Sequence, residues 1–168
     1  MLTCAAIEEF AAYNRWQNGS HIRAASTLTD AQRWEDKGAF FGSIAATLNH
    51  VLWGDQLWMS RFAGTPAPSP TSIPASTDYF SDWDAFAAER STFDDVILSW
   101  ARGLDPEWLD GELTWFSGAA NRELTKPKWL LVTHMFNHQT HHRGQVHVLL
   151  TAAGCELEAT DIPFRPSD

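Results

Sequence analysis

The chain has 168 residues, the length of one ordinary domain, and 44% of them are apolar, enough to fill a sizeable core. A formal net charge of −9, with no basic cluster to offset it, repels phosphate backbones and argues against a nucleic-acid partner. No apolar run reaches the roughly 18 residues of a membrane span, no basic-then-apolar leader opens the sequence, and the two cysteines, Cys4 and Cys155, form no CxxC pair, so a cytoplasmic protein with free thiols and no membrane contact is expected.

The apolar spacing is helical throughout, not alternating. Residues 2–28 place Ile7, Phe10, Ala11, Ala25 and Leu28 on one face. Thr29-Asp30 then opens a short link, so the next helix is expected to be an antiparallel neighbour. Residues 38–62 carry a second stripe of Phe41, Ile44, Leu48, Val51, Met59 and Phe62. Residues 63–77 contain Pro66, Pro68, Pro70 and Pro74 and are predicted not to be helix. A polyproline-like chain rises about 3.1 Å per residue, so this segment reaches on the order of 45 Å. A helix of about 24 residues is only about 36 Å long. The segment can therefore cross the whole molecule and leave the second and third helices parallel. Residues 78–102 form the third helix on Phe80, Trp83, Ala87, Ile97 and Ala101. Residues 104–126 hold Leu113-Thr114-Trp115-Phe116 and a Ser117-Gly118 turn signal, the pattern of a small hairpin or irregular flap. Residues 127–153 form the fourth helix, with Pro127 suited to its first turn and Gly154 to its stop. The expected fold is all-α: a four-helix bundle, up-down-down-up, with a long crossover between helices two and three, in a single domain over 1–168.

The fourth helix carries His138-Gln139-Thr140-His141-His142-Arg143-Gly144-Gln145. His138 and His142 are one turn apart and fall on the apolar stripe of Leu131, Met135, Val146 and Leu149. A single histidine on such a face is usually a hydrogen-bonded core residue. Two of them leave polar nitrogens to satisfy in one place, and can grip one metal ion if a third ligand arrives from elsewhere. His134 lies on the order of 12 Å from His142 along the axis, too far to share an ion whose bonds are about 2.0–2.1 Å long. His134 and His141 sit at the edge of the stripe, and His147 points away from it. For the third ligand, spacing leaves both His50 and His21 open. His50 lies with Ser43, Ala46, Thr47 and Gly54, a face of small residues that either admits the fourth helix closely or faces solvent.

Asn49-His50-Val51-Leu52-Trp53-Gly54-Asp55, followed by Asn137-His138 and His142-Arg143-Gly144-Gln145, resembles the DinB family, the DinB/YfiT-like metalloenzymes. Tyr13-Asn14-Arg15-Trp16 and Phe40-Phe41-Gly42-Ser43 are similar too, and the resemblance covers nearly the whole chain. It implies a bundle with the long crossover, a homodimer, and a three-histidine site for one divalent ion, commonly nickel or zinc. Carried onto this sequence, the metal ligands are His50, His138 and His142. Related families include thiol S-transferases and thiol-dependent isomerases that use low-molecular-weight thiols.

Three imidazoles leave a position open on a divalent ion, which lowers the pKa of a thiol or water held there. The expected function is therefore metal-dependent small-molecule thiol chemistry of thiol S-transferase type, acting on a small-molecule substrate. Metal-assisted hydrolysis is the alternative. Gln139 follows His138, so the HExxH protease motif is absent. The remaining alternative is a non-catalytic metal-binding or stress-response module. Structural zinc usually takes four protein ligands, often cysteine, and neither cysteine lies in these motifs. No catalytic residue is assigned.

Several polar residues also fall on apolar faces: Asn14, Asn18 and His21 in the first helix, Asp55 in the second, Arg90 and Asp94 in the third. They read as an internal hydrogen-bond network. Asn14, His21, Asp55, Arg143 and Gln145 are also candidates for the pocket wall or for groups that orient the metal-binding histidines. Asp55 is expected to pair with Arg143, and Gln145 to orient a bound water or simply pack. Trp16, Trp53, Trp58 and Trp129 are expected to fill gaps between helices, some at the pocket mouth. Cys4 and Cys155 should lie at opposite ends of the molecule.

Overall fold

The long helices begin where short polar side chains can cap them. In this computed structural model, which describes residues 2–118 and 120–166, α1 (Cys4–Ser26) is capped by Thr3, α3 (Ile44–Ala63) by Ser43 and α5 (Trp83–Arg102) by Asp82. Each of these side chains accepts a backbone N–H three residues on, satisfying one of the free donors of a helix start. The fourth long helix, α7 (Lys128–Ala152), has no side-chain cap and starts directly from a strand at Pro127. Gly64 and Gly154 follow α3 and α7 with φ of 69° and 81°, the left-handed backbone that ends a helix cheaply only at glycine. The outer bounds of the expected 1–168 domain lie outside the described residues.

The molecule is mostly helical with one small sheet. Between the long helices lie α2 (Asp30–Trp34), α4 (Ile73–Ser76), α6 (Pro106–Leu109) and the strands β1 (Glu112–Ser117) and β2 (Arg122–Pro127). The strands pair antiparallel, Glu112 opposite Pro127 and Ser117 opposite Arg122, so of the hairpin and the irregular flap it is the hairpin that forms. Trp115 of β1 packs its ring edge against Trp58 of α3, centroids 5.6 Å apart.

Side-chain contacts give the helix directions. The Trp83 indole donates to Ser26 at one end of the α1–α5 pair, and Arg102 meets Glu8 at the other, so the two are antiparallel. His50 faces His142 while Trp58 faces His134, so α3 and α7 are antiparallel as well. Phe10 meets Phe136 and His21 meets His147, so α1 and α7 run the same way. Asp55 meets Arg90 and Phe62 stacks on Trp100, so α3 and α5 also run the same way. Ile7, Leu52, Met59, Phe86, Ile97, Met135 and Leu150, all buried, form the core between them.

The proline-rich connection runs back along α3. The Trp53 indole donates to the Pro70 carbonyl at 2.7 Å, and Asn49 both accepts from and donates to the Phe80 backbone. Residues 63–77 nonetheless contain helix, against the sequence expectation. Ser72 caps α4, and Pro74 sits in its first turn, where a missing N–H costs nothing. Two other predicted boundaries move. Residues 38–43 are not helix, because Gly38 and Gly42 adopt φ of 76° and 79° and Ala39 bridges Gly42. The third long helix begins at Trp83, not at 78.

Cys4 and Cys155 are free. Cys155 lies against Ala24 at the far end of α1 from Cys4. No described helix is long and apolar enough to cross a membrane.

Candidate metal centre

The small-residue face of α3 admits α7 closely. A Cβ built on Gly54 would sit 3.1 Å from Cε1 of His138, so glycine is what lets this imidazole lie against the α3 backbone. His138 and His142 project from α7 one turn apart, ring centroids 4.5 Å apart, and His50 meets both from α3 at 5.1 and 5.0 Å. One ring nitrogen from each lies within 4.8 Å of the others, an arrangement positioned to hold a metal ion. Of the two partners that spacing left open, the structure brings His50 to the pair and leaves His21 elsewhere.

The hydrogen bonds fix which nitrogens are free. The Ser76 hydroxyl donates its one proton to the Ile73 carbonyl at 2.6 Å, so it must accept from Nδ1–H of His50 at 2.8 Å. His50 therefore keeps a lone pair on Nε2, and that atom lies 3.2 Å from Nε2 of His138. His142 points Nδ1 at Oε1 of Gln145, 2.8 Å away, which leaves its Nε2 as the acceptor. Two facing ring nitrogens are favourable only with a proton or a cation between them. Burial, then His142, holds the His50 imidazole down at about 4. Burial, then His142 and His50, holds His138 at about 3. Burial also lowers His142. All three rings are thus neutral near pH 7, the form that binds metal. The donor set fits a divalent ion.

Aromatic side chains wall the cluster. The Phe41 ring lies 4.1 Å from His50 and 5.3 Å from His142, and Trp53 lies 5.6 Å from His50. His134 and His141 flank the cluster and are exposed: His134 packs on Trp58, and His141 accepts from the Gln145 amide.

Gly54→Ala follows directly as a test of this packing. The added methyl pushes His138 by a few tenths of an ångström. Alanine is favoured over glycine in a helix by about 1 kcal/mol. Affinity for a divalent ion should therefore fall by roughly 10–100-fold with little loss in urea midpoint. Unchanged metal affinity would show that His138 tolerates the shift.

Behind the cluster a buried polar network joins all four long helices. Arg90 donates to Asp55 at 2.5 Å and to Asp94 at 2.7 Å, and Asn18 donates to Asp94 at 2.8 Å. Gln139 donates to Asp55 and accepts from Arg143, both at 2.8 Å. Burial pushes the Asp55 carboxyl up to about 6 against the pull of Arg90, so it remains mostly ionised at pH 7. Asp55 does not pair directly with Arg143, against the expectation from sequence. Among the described residues Arg90 is the ion-pair partner of Asp55, and Gln139 stands between Asp55 and Arg143.

Asn14 and His21 lie along the α1–α7 seam, where each lines a cavity. Burial, then the Arg143 charge and His147, depresses the His21 imidazole from 6.5 to about 3. Between those values the unfolded chain takes up a proton that the folded one refuses, so stability is lost as pH falls through this window. His21→Phe should therefore lose less stability than the parent chain between about pH 7 and about pH 4, read as urea midpoints. Parallel curves would show that His21 is protonated in the fold.

Three contributors were not marked by the sequence reading. Ser76 orients His50 from within the crossover, Gln139 links α7 to Asp55, and Phe41 covers the cluster. For Ser76 the Ser72 cap and Pro74 were a usable signal of a short helix.

The comparisons with known proteins bear on fold and family. A sequence model of the DinB family matches residues 1–167. The structure is similar to the crystal structure of a DinB-like protein from Bacillus cereus ATCC 10987, with a TM-score of 0.64 and 16% identity, over 86% of this chain and 90% of that one. No curated protein matches the chain.

Proposed function

The chain belongs to the DinB family, and on that premise we propose that it is a metal-dependent enzyme of small-molecule thiol chemistry, of thiol S-transferase type, in which His50, His138 and His142 hold one divalent ion, nickel or zinc. The observation that carries this reading is the convergence of three neutral imidazoles, two of which have their other nitrogen committed, His50 to Ser76 and His142 to Gln145. When bound, such an ion lowers the pKa of a thiol or water beside it and so supplies a nucleophile at neutral pH.

The chain's own residues do the rest. Ser76 and Gln145 fix ring orientation and tautomer, as partners of metal-binding histidines generally do. Because all three histidines are neutral, they leave a divalent charge uncancelled, which favours an anionic thiolate over its thiol. Phe41 and Trp53 give one side of the site an apolar wall suited to an apolar electrophile. The reading extends to a single-domain cytoplasmic homodimer, its long helices closed into an up-down-down-up bundle. The contact directions support the bundle, and the family resemblance supports the dimer.

The test mixes metal-loaded protein, a low-molecular-weight thiol and chlorodinitrobenzene, and follows free thiol. Metal-dependent loss of thiol, absent in His142→Ala, is the expected result. Ester hydrolysis without thiol consumption would replace this reading with the hydrolase. Neither activity, across glutathione, cysteine and coenzyme A, would leave a metal-binding module.

A further inference from the structure

Helix α7 presents two sets of polar side chains on two of its faces. His138 and His142 face α3, whereas Arg143 and His147 face α1. Between α1, α7 and the segment around Thr160 lies a cavity of about 420 Å³, lined by Tyr13, Gln17, His21, Arg143 and His147.

Tyr13 and Gln17 donate to the Thr160 and Ala159 carbonyls, but Arg143, His21 and His147 are under-used. The Arg143 side chain is buried, yet among the described residues it makes no ion pair. It donates to Gln139 at 2.8 Å and to Thr140 at 3.4 Å, both uncharged, and its guanidinium lies over the Tyr13 ring at 5.4 Å. The carboxylates nearest in the network, Asp55 and Asp94, are taken by Arg90, Gln139 and Asn18. His21 is 2% exposed, and among the described residues neither of its ring nitrogens has a hydrogen-bond partner, nor does Nδ1 of His147 beside it. Asp55 and Asp94 offset the Arg143 charge from a distance, but neither touches it; a buried guanidinium with no carboxylate in contact, next to buried imidazole nitrogens without partners, is the donor set of an oxyanion site.

A second cavity, of about 520 Å³, shares Tyr13, Thr140 and Thr160 with the first and is walled by Phe10 and Phe136. Asp161 also lines it, so negative charge is disfavoured at that end and favoured at the Arg143 end.

We propose that this two-part groove binds a small carboxylic acid, its carboxylate among Arg143, His21 and His147 and its apolar body along Phe10 and Phe136. The site is separate from the three-histidine centre and does not depend on the reaction assigned to it. Arginine with a flanking imidazole N–H matches the two oxygens of a planar carboxylate.

The experiment titrates acetate, hexanoate and inorganic phosphate into the metal-loaded full chain. It follows the ring resonances of His21 and His147 by NMR, with calorimetry alongside. Hexanoate is expected to shift both rings saturably and to bind at least about tenfold tighter than acetate, since each buried methylene adds affinity. The same binding is expected after chelator treatment. Arg143→Met and His147→Leu should each weaken hexanoate by about tenfold or more. Should Arg143→Met fail to fold by circular dichroism, His147→Leu carries the test alone. Four results would overturn the proposal: no saturable shift with any probe, undiminished binding in His147→Leu, phosphate binding tightest of the three, or binding that disappears with the metal.

Discussion

His142→Ala is expected to lower affinity for a divalent ion by much more than the roughly 10–100-fold that follows loss of a group merely supporting a ligand. Among the described residues three imidazoles lie close enough to share an ion, and removing one leaves two. The remaining pair cannot be made good by the flanking histidines. His141 sits with its Nε2 toward the Gln145 amide, and His134 packs on Trp58. His134→Ala and His141→Ala should therefore bind the ion nearly as the parent does. Competition against a chromogenic chelator measures all three, with far-UV circular dichroism to show that the helices persist. Parent-like affinity in His142→Ala, or an equal loss in His134→Ala, would place the ion elsewhere.

Arg90→Met is expected to destabilise the fold by about 3–5 kcal/mol, the cost of breaking a buried ion pair by removing one partner. Arg90 is 2% exposed and lies between two carboxylates that are equally buried, Asp55 and Asp94. Without it both must be protonated, or remain charged with only Gln139 and Asn18 as donors. A typical domain is stable by about 5–15 kcal/mol, so the loss is a large share of the whole. It should shrink as pH is lowered and the orphaned carboxylates take up protons. Replacing the four charges of the network together, Asp55→Leu, Arg90→Met, Asp94→Leu and Arg143→Met, should cost less than Arg90→Met alone, because none of them is left buried and unpaired. Urea denaturation at two pH values checks both statements. A loss under about 1 kcal/mol would show that water or another donor replaces the guanidinium.

The sequence was informative where chemistry is local. Helical periodicity located the four long helices, because each buries one face, and the one-turn spacing of His138 and His142 carried their common direction. The small face of Ser43, Ala46, Thr47 and Gly54 was compatible with close approach or with solvent, and the structure brings His138 against Gly54. Relations between elements were less legible. Spacing could not choose between His50 and His21, since that choice depends on the relative rotation of three helices. Asp55 was paired with Arg143, but the closer guanidinium comes from Arg90 on α5, a helix whose rotation no local pattern fixes. Ser76 was hidden because four prolines made its segment read as extended, although Pro74 in a first turn is compatible with helix.

The most direct measurement of the central claim is X-ray absorption at the metal edge on protein purified without a histidine tag, together with its metal content. About one divalent ion per chain, with nitrogen ligands near 2.0–2.1 Å, is the predicted result for zinc. In thiol-free buffer, sulfur in the coordination shell, or no ion bound even after incubation with nickel or zinc, would contradict it and return His50, His138 and His142 to the role of hydrogen-bonding residues.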